Sequence, residues 1–394
     1  MEYLYIFFIL ELLQLIFFLN KRRNPLVVCN STFQLILSLG AILLVSLNLY
    51  EYSVVFYPLL VWVILNFVLN LSMSGPINLD ISHVSKSNFL RQIFVFYIIC
   101  SVYFIVIKGA DAISVYISGK YDSMYWEARG EDFQYHSNIF EQIAINYVNY
   151  LYVPAALYGF CLISSEKKKQ GLLLCLFVFL NKLVWSTAYS SRADLFAVIV
   201  LFLLLLLMFK KYIDVGTYKK ISKVSLIAGS VAIIMMVLIS LSRFDGWKFT
   251  DWIFAYFGRS PLTFLDHVVS ITRFGDGHVF FSYVKGLLPF ATHDPLYARD
   301  TGANFVPEIG RLYDDFGWWF VPFLFLPVCY ILHRIQKKKK IAFAEAYVLF
   351  NTFMIVLIGN FYKTADFVTV LMTIFIYIIF KTSNNKDRKK LKYD

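Results

Sequence analysis

Arginines and histidines are concentrated in one polar interval of the chain, residues 242–316. Three of the six histidines lie there, together with five arginines: Arg243, Arg259, Arg273, Arg299 and Arg311. A guanidinium group donates two parallel hydrogen bonds to phosphate oxygens and keeps its charge at any working pH. Histidine exchanges a proton near neutral pH. The interval therefore predicts proton transfer beside a bound anion.

Four arginines are predicted to bind the phosphate groups of a lipid-linked diphosphate: Arg192, Arg243, Arg259 and Arg273. Arg192 lies outside the interval, near the start of an apolar run, where a charge at mid-bilayer costs about 2.5–3.5 kcal/mol. An alternative interpretation pairs Lys182 with Asp194 and leaves Arg192 to reach lipid headgroups. For the arginines of the interval, the alternative is neutralisation by headgroups or by neighbouring aspartates.

The base that accepts a proton is predicted first at His278 and second at Glu308. His278 follows a Gly-Asp-Gly turn, which can aim its ring toward the arginines, and a histidine suits proton transfer at neutral pH. Four further candidates remain: His267, His293, Asp276 and Asp300. A solvated or purely structural role is the alternative for any of these histidines.

Neither a metal nor a cofactor is expected. The three histidines of the interval lack the close helical spacing of metal ligands. The sequence contains no HExxH, Asp-x-Asp, P-loop or GxSxG pattern, which lowers support for metalloprotease, ATPase and serine-hydrolase chemistry.

Membrane helices are the elements expected to hold these residues. Hydrophobic residues make up 59% of the 394, and a mean hydropathy of +0.63 is too apolar for one soluble core. The net charge of +11 comes from short basic clusters between apolar runs, which indicates membrane topology rather than nucleic-acid binding. All five cysteines lie in apolar runs, so disulfides are not expected.

About eleven apolar runs approach the ~20 residues needed to cross a bilayer, which predicts an all-α polytopic membrane protein. The runs are Tyr3–Leu19, Leu26–Leu47, Val54–Leu71, Phe89–Ile107, Ile143–Ile163, Leu172–Ala188, Leu195–Phe209, Val224–Leu241, Trp318–Leu332, Ile341–Ile358 and Phe367–Phe380. Every second loop is basic, which predicts an N-terminus outside and a C-terminus in the cytoplasm. We expect one integral domain over 1–394, with 242–316 as a large, partly helical outer loop and 381–394 as a basic cytoplasmic tail.

Two local features are predicted in more detail. Ser260-Pro261 before an apolar-periodic run, with Gly275 after Arg273, predicts a helix that starts at the proline and ends before the glycine. Polar residues inside the first and third runs are expected to form hydrogen bonds between helices. They are Glu11, Gln14, Asn66 and Asn70.

The segment 304–319, NFVPEIGRLYDDFGWW, resembles a segment of bacterial O-antigen polymerases of the Wzy type. In that family a Tyr-x-Asp-Phe-Gly core enters a late transmembrane helix after the large periplasmic loop. The matching residues here are Tyr313, Asp315, Phe316 and Gly317. The run Ser190-Ser191-Arg192 is similar to the Ser/Gly-Arg element of these enzymes, and the plan of many spans around one long outer loop is similar along the whole chain.

The resemblance implies an inner-membrane glycosyltransferase that polymerises oligosaccharide repeat units carried on undecaprenyl pyrophosphate, at the periplasmic face. The growing glycan would leave its carrier and join the non-reducing end of an incoming unit. Expected partners are the lipid-linked glycan, membrane lipid and a chain-length regulator protein, and Tyr313, Asp315 and Gly317 are expected to form a structural motif. Two other functions stay open: a lipid-linked oligosaccharide flippase or similar transporter, and the related O-antigen ligase.

Overall fold

The computed structural model describes residues 1–20, 24–50, 55–121, 123, 138–243, 249–276, 280–281, 295–297, 308–359 and 367–390. Six helices within these ranges are long and apolar enough to cross a membrane: Glu2–Asn20, Pro25–Ser46, Asn88–Ser118, Lys168–Ala188, Arg192–Phe209 and Val215–Leu241. Three shorter apolar helices cover Tyr57–Ser72, Phe343–Leu357 and Val368–Thr382. The fold class is therefore a helical membrane protein, whereas the number of eleven spans stays a prediction.

The described residues form helices and two short strands. They are α1 (Glu2–Asn20), α2 (Pro25–Ser46), α3 (Tyr57–Ser72), α4 (Ile81–Lys86), α5 (Asn88–Ser118), α6 (Ile139–Ile163), α7 (Lys168–Ala188), α8 (Arg192–Phe209), α9 (Val215–Arg243), α10 (Phe249–Ser270), β1 (Ile271–Arg273), β2 (Leu296–Tyr297), α11 (Glu308–Phe316), a 3-10 turn (Gly317–Trp319), a π-helix (Val321–Phe325), α12 (Leu326–Gln336), α13 (Phe343–Gly359) and α14 (Phe367–Lys390). The chain divides into two compact units. The first comprises Met1–Asn78, Trp247–Ile341 and Val348–Ile376, and the second comprises Leu79–Gly246, Ala342–Tyr347 and Tyr377–Asp394.

In the first unit, α2 and α10 touch backbone to backbone. A Cβ placed on Gly258 would lie 2.2 Å from the carbonyl carbon of Gly40, so the two glycines allow an approach that larger side chains would prevent. The ring of Trp62 on α3 packs edge-on against Phe264 on α10, with centroids 5.2 Å apart. These contacts hold α10 against the helices that begin the chain.

Hydrogen bonds between polar side chains join α1, α2 and α3. Asn70 on α3 donates to Gln14 Oε1 on α1 at 3.4 Å, and Gln34 on α2 donates to Asn66 Oδ1 on α3 at 3.2 Å. The predicted bonds between helices are thus confirmed for Gln14, Asn66 and Asn70. Glu11 differs, because it accepts a 2.6 Å bond from Gln14 on its own helix.

In the second unit, α6 and α7 form a close hairpin. A Cβ on Gly171 would lie 2.4 Å from the carbonyl oxygen of Gly159, so these helices also pack through glycine. Asn181 on α7 donates to Ser101 Oγ on α5 at 2.7 Å. A polar contact inside an apolar bundle fixes which faces of the helices meet.

The helix predicted to start at Pro261 starts earlier, at Phe249, and contains the proline in its interior. Ser260 Oγ does not cap it; this buried oxygen has no hydrogen-bond partner among the described residues. The close packing of Gly258 against Gly40 favours a helical conformation for the residues before Pro261. Prolines are also tolerated inside membrane helices. The helix also stops before Arg273, which lies in β1, paired antiparallel with β2.

The predicted run Trp318–Leu332 is not one straight helix. The segments Ile309–Trp319 and Val321–Gln336 meet at 107°. Gly317 has a φ of +55°, which L residues with a side chain rarely adopt, and it ends α11 just before this bend. The Tyr-x-Asp-Phe-Gly pattern therefore ends at a glycine in the left-handed region, and the chain bends sharply between Trp319 and Val321.

Candidate functional site

His267, in the last turn of α10, faces Asp314 on α11. Its Nδ1 lies 2.9 Å from Asp314 Oδ2 and 3.2 Å from Oδ1, and the two side chains are 2% and 4% exposed. An ionised carboxylate only accepts hydrogen bonds, so Nδ1 carries a proton and donates it. Nε2 of the neutral ring is then the basic nitrogen, and this buried atom has no hydrogen-bond partner among the described residues.

Asp314 is held in place by the segment that follows β1. The backbone N–H of Gly275 donates to the carbonyl oxygen of Asp314 at 2.9 Å, and the N–H of Phe280 donates to Asp315 Oδ2 at 2.6 Å. A Cβ on Gly275 would lie 2.7 Å from Asp315 Oδ1. Glycine therefore lets the chain approach α11 closely enough to make both bonds.

The three residues of the predicted motif make structural contacts around this junction. Asp315 holds the Phe280 amide, as described above. Tyr313 is buried and packs edge-on against the ring of Phe274, with centroids 5.6 Å apart. A Cβ on Gly317 would meet the same ring at 3.0 Å. These contacts fix the end of α11 and, with it, the position of Asp314.

Tyr297 and Arg311 complete the surroundings of the pair. The Tyr297 ring lies edge-on to the His267 imidazole, with centroids 4.6 Å apart. Burial, and then the Asp314 carboxylate, raise the pKa of the Tyr297 hydroxyl well above its usual range, and the Arg311 charge acts in the opposite direction. The hydroxyl is therefore neutral and protonated at physiological pH. Arg311 lies one turn before Asp314 on α11 and has a buried Nε without a partner in the described part of the chain.

This arrangement can move a proton next to an anion. Asp314 orients the imidazole and stabilises its positive charge once Nε2 has accepted a proton, a role that carboxylates play beside catalytic histidines. Arg311 supplies a charged donor for an anionic oxygen close to the same place. In a buried site such charges act more strongly than in bulk water.

The arginines predicted to bind phosphate are divided between the two units. Arg259 lies half-buried on α10 with its guanidinium 5.7 Å from the centre of the Tyr50 ring, and Arg273 is exposed on β1. Both belong to the unit that contains His267. Arg192 and Arg243 belong to the second unit.

In the second unit Arg192 is 7% exposed in the first turn of α8 and donates from Nη1 to Ser240 Oγ of α9 at 3.2 Å. Lys182 pairs with Asp194 at 2.8 Å, as the alternative interpretation of this region expected. Arg243 is the last residue of α9, and its side chain lies outside the described residues.

The two residues predicted as the base are not positioned by the described part of the chain. His278 lies outside it, and Glu308 begins α11 with a side chain that also lies outside it. Their assignment stays a prediction. The histidine that the structure does describe in this interval, His267, was among the further candidates.

Sequence reasoning missed Asp314, Tyr297 and Arg311 as members of one site. A signal was available on α11, where Arg311 and Asp314 are three residues apart and so share a helix face. Nothing in the sequence indicates that this face meets His267, 47 residues earlier.

Among the described residues, no group of three or more His, Cys, Asp or Glu side chains is arranged to hold a metal ion. Chemistry without a metal stays a prediction. Proton transfer by His267 and charge stabilisation by Arg311 need no metal.

The fold and the site define a helical membrane protein with a buried histidine–carboxylate pair next to a broken helix. The chain matches no family model, and comparisons with curated proteins and with solved structures gave no match. Its function is therefore argued from the chemistry of the site.

Proposed function

We propose that the chain is a membrane glycosyltransferase that polymerises oligosaccharide repeat units carried on undecaprenyl pyrophosphate, at the periplasmic face of a bacterial inner membrane. The observation that supports it most is the His267–Asp314 pair, with an Nε2 atom that has no partner among the described residues. Such a pair suits a reaction in which a hydroxyl loses a proton while an anion departs.

In the proposed reaction, a hydroxyl oxygen of the incoming repeat unit attacks the anomeric carbon of the growing glycan. A new glycosidic C–O bond forms and the C–O bond to the lipid diphosphate breaks, with its electrons leaving on the diphosphate. The hydroxyl proton passes to His267 Nε2, and Asp314 stabilises the resulting imidazolium. The proton then returns to water, so the site is restored without a redox or metal step.

The leaving diphosphate needs positive charge that becomes more effective as the bond breaks. Arg311 is the first candidate, because its charge lies close enough to act on the Tyr297 hydroxyl beside His267. Arg259 on α10 and Arg273 on β1 belong to the same unit and add further positive charge. This assignment gives His267 the role that sequence reasoning gave to His278.

A transporter of lipid-linked oligosaccharide is the second candidate, and one observation favours it. Broken membrane helices are typical of transporter binding sites, and the chain has one at the 107° bend after α11. The O-antigen ligase shares the donor chemistry of the polymerase and is separated from it only by the acceptor.

Deleting the gene and analysing the lipopolysaccharide distinguishes these functions. Loss of a polymerase leaves lipopolysaccharide with a single repeat unit, whereas loss of a ligase or a flippase leaves none. Unchanged lipopolysaccharide contradicts all three. Complementation with His267→Gln should give the single-unit pattern, while His333→Gln, an exposed position at the end of α12, should restore full-length polymer.

A further inference from the structure

A cavity of about 460 Å³ lies within the second unit, between α6, α7, α8 and α9. Its walls are almost entirely apolar, with Phe160, Phe179 and Phe202 among the lining residues. The helix α9 packs loosely on its neighbours, because only 17% of its most apolar window is buried, against 56% for α8. A groove therefore remains along α9 that a hydrocarbon chain can fill.

The face of α9 that lines this groove carries small residues, among them Ser222, Ser225 and Gly229. A Cβ placed on Gly229 would meet no heavy atom within 4 Å. The space beside this glycine is therefore not used for packing between helices. The two serines add hydroxyl donors to a wall that is mostly apolar.

One end of the groove is strongly basic. The turns and helix starts at this end contain eight lysines and two acids, and all eight lysines are exposed: Lys167, Lys168, Lys169, Lys210, Lys211, Lys219, Lys220 and Lys223. Lys168 at the start of α7 pairs with Asp214 before α9 at 2.5 Å, which brings the two basic segments together. Lys169 and Lys219 each lie one turn before a lining residue, Leu172 and Ser222 respectively.

We propose that this groove binds one anionic phospholipid, with an acyl chain along α9 and the phosphate between Lys169 and Lys219. The apolar wall suits the acyl chain of the lipid. The basic rim suits the negative charge of its headgroup, since lysines near a membrane surface attract anionic lipids. The groove lies entirely in the second unit and does not involve His267 or Asp314. The proposal therefore does not depend on the proposed function.

The test is native mass spectrometry of the purified full chain in detergent, with equal amounts of dioleoyl phosphatidylglycerol and dioleoyl phosphatidylcholine. Both lipids have the same acyl chains, so a difference reports the headgroup. The wild-type chain should retain one phosphatidylglycerol molecule in preference to phosphatidylcholine by about tenfold or more, because each lysine contributes roughly fivefold at an anionic surface.

Two matched pairs of variants locate the site. Gly229→Leu places its Cβ in open space, extends a bulky side chain into the groove and should remove the retained lipid, whereas Gly109→Leu on α5, where a Cβ also meets nothing within 4 Å, should keep it. Lys219→Gln should reduce the preference about fivefold. Lys86→Gln removes the same charge from an exposed position on α4, which does not line the groove, and should leave the preference unchanged.

Retention of phosphatidylglycerol by Gly229→Leu at the wild-type level would overturn the proposal, because the lipid would then lie elsewhere. Equal retention of the two lipids by the wild-type chain would also overturn it, since the groove would then not distinguish an anionic headgroup from a neutral one. A dimer mass in place of a lipid-bound monomer would assign the groove to a second copy of the chain. Gel filtration of each variant confirms that a loss of lipid is not a loss of folding.

Discussion

The imidazole Nδ1 of His267 lies 2.9 Å from Asp314 Oδ2, and this contact joins the end of α10 to α11. The pair is buried, and it is bordered by Tyr297 and Arg311. Because the two residues come from distant parts of the polar interval, the site exists only when that interval is folded.

Asp314→Asn should lower the rate of polymer formation by about 10²–10⁴, because an amide neither fixes the required tautomer of His267 nor stabilises its charged form. The measurement is the initial rate with purified lipid-linked repeat units. Asp214→Asn, an exposed position in the second unit, is the control and should retain normal activity. Normal activity of Asp314→Asn would show that the pair is structural.

Arg311→Lys should lower kcat/KM by about tenfold to a hundredfold. Lysine keeps the charge but loses the planar pair of donors, so it stabilises the transition state less well. The comparison is with Arg334→Lys, an exposed arginine in the last turn of α12. Equal effects of the two changes would mean that Arg311 contributes only general positive charge.

Gly258→Ala should destabilise the first unit by about 1–3 kcal/mol, because the new methyl group would meet the backbone of α2 at Gly40 and force the helices apart. Gly109→Ala places its methyl group in open space and should be neutral or slightly stabilising. Thermal unfolding in detergent measures both variants. A stable Gly258→Ala protein would contradict the close packing of α2 on α10.

Asn70→Ala should lower the free energy of unfolding by about 1–2 kcal/mol, because it removes hydrogen bonds to side chains on both α1 and α2. Each such hydrogen bond is of moderate strength in a membrane bundle. Thr32→Ala is the control, since the exposed Thr32 hydroxyl bonds only within its own helix. The two variants are compared by the same unfolding assay. Equal stability would mean that the polar contacts between helices contribute no net energy.

Much of the fold could be predicted because membrane helices are local features. An apolar run of about 20 residues predicts a helix wherever it occurs, and polar residues such as Gln14 and Asn70 predict contacts between helices without naming the partner. The same reasoning was wrong at Pro261, because the local preference of proline for a helix start was outweighed by the packing of Gly258 on Gly40.

The site could be predicted only in part. Residue types indicated the interval that contains His267, Asp314 and Arg311, and they indicated histidine–arginine chemistry, since these are properties of single side chains. The pairing of His267 with Asp314 depends on how β1 and α11 return to α10, through bonds such as that from Gly275 to Asp314. Such long-range contacts leave no periodic signal in the sequence. The prediction therefore ranked His278 first on the evidence of a local turn.

The most direct test of the central claim is the turnover of purified His267→Gln with lipid-linked repeat units, measured beside wild type and His333→Gln. Glutamine keeps a polar side chain of similar reach but cannot accept the proton. The account predicts a fall in turnover of about 10²–10⁴ in His267→Gln, with retained binding of the lipid-linked substrate and normal turnover in the His333→Gln control. Near-normal turnover in His267→Gln would contradict the account and exclude His267 as the base.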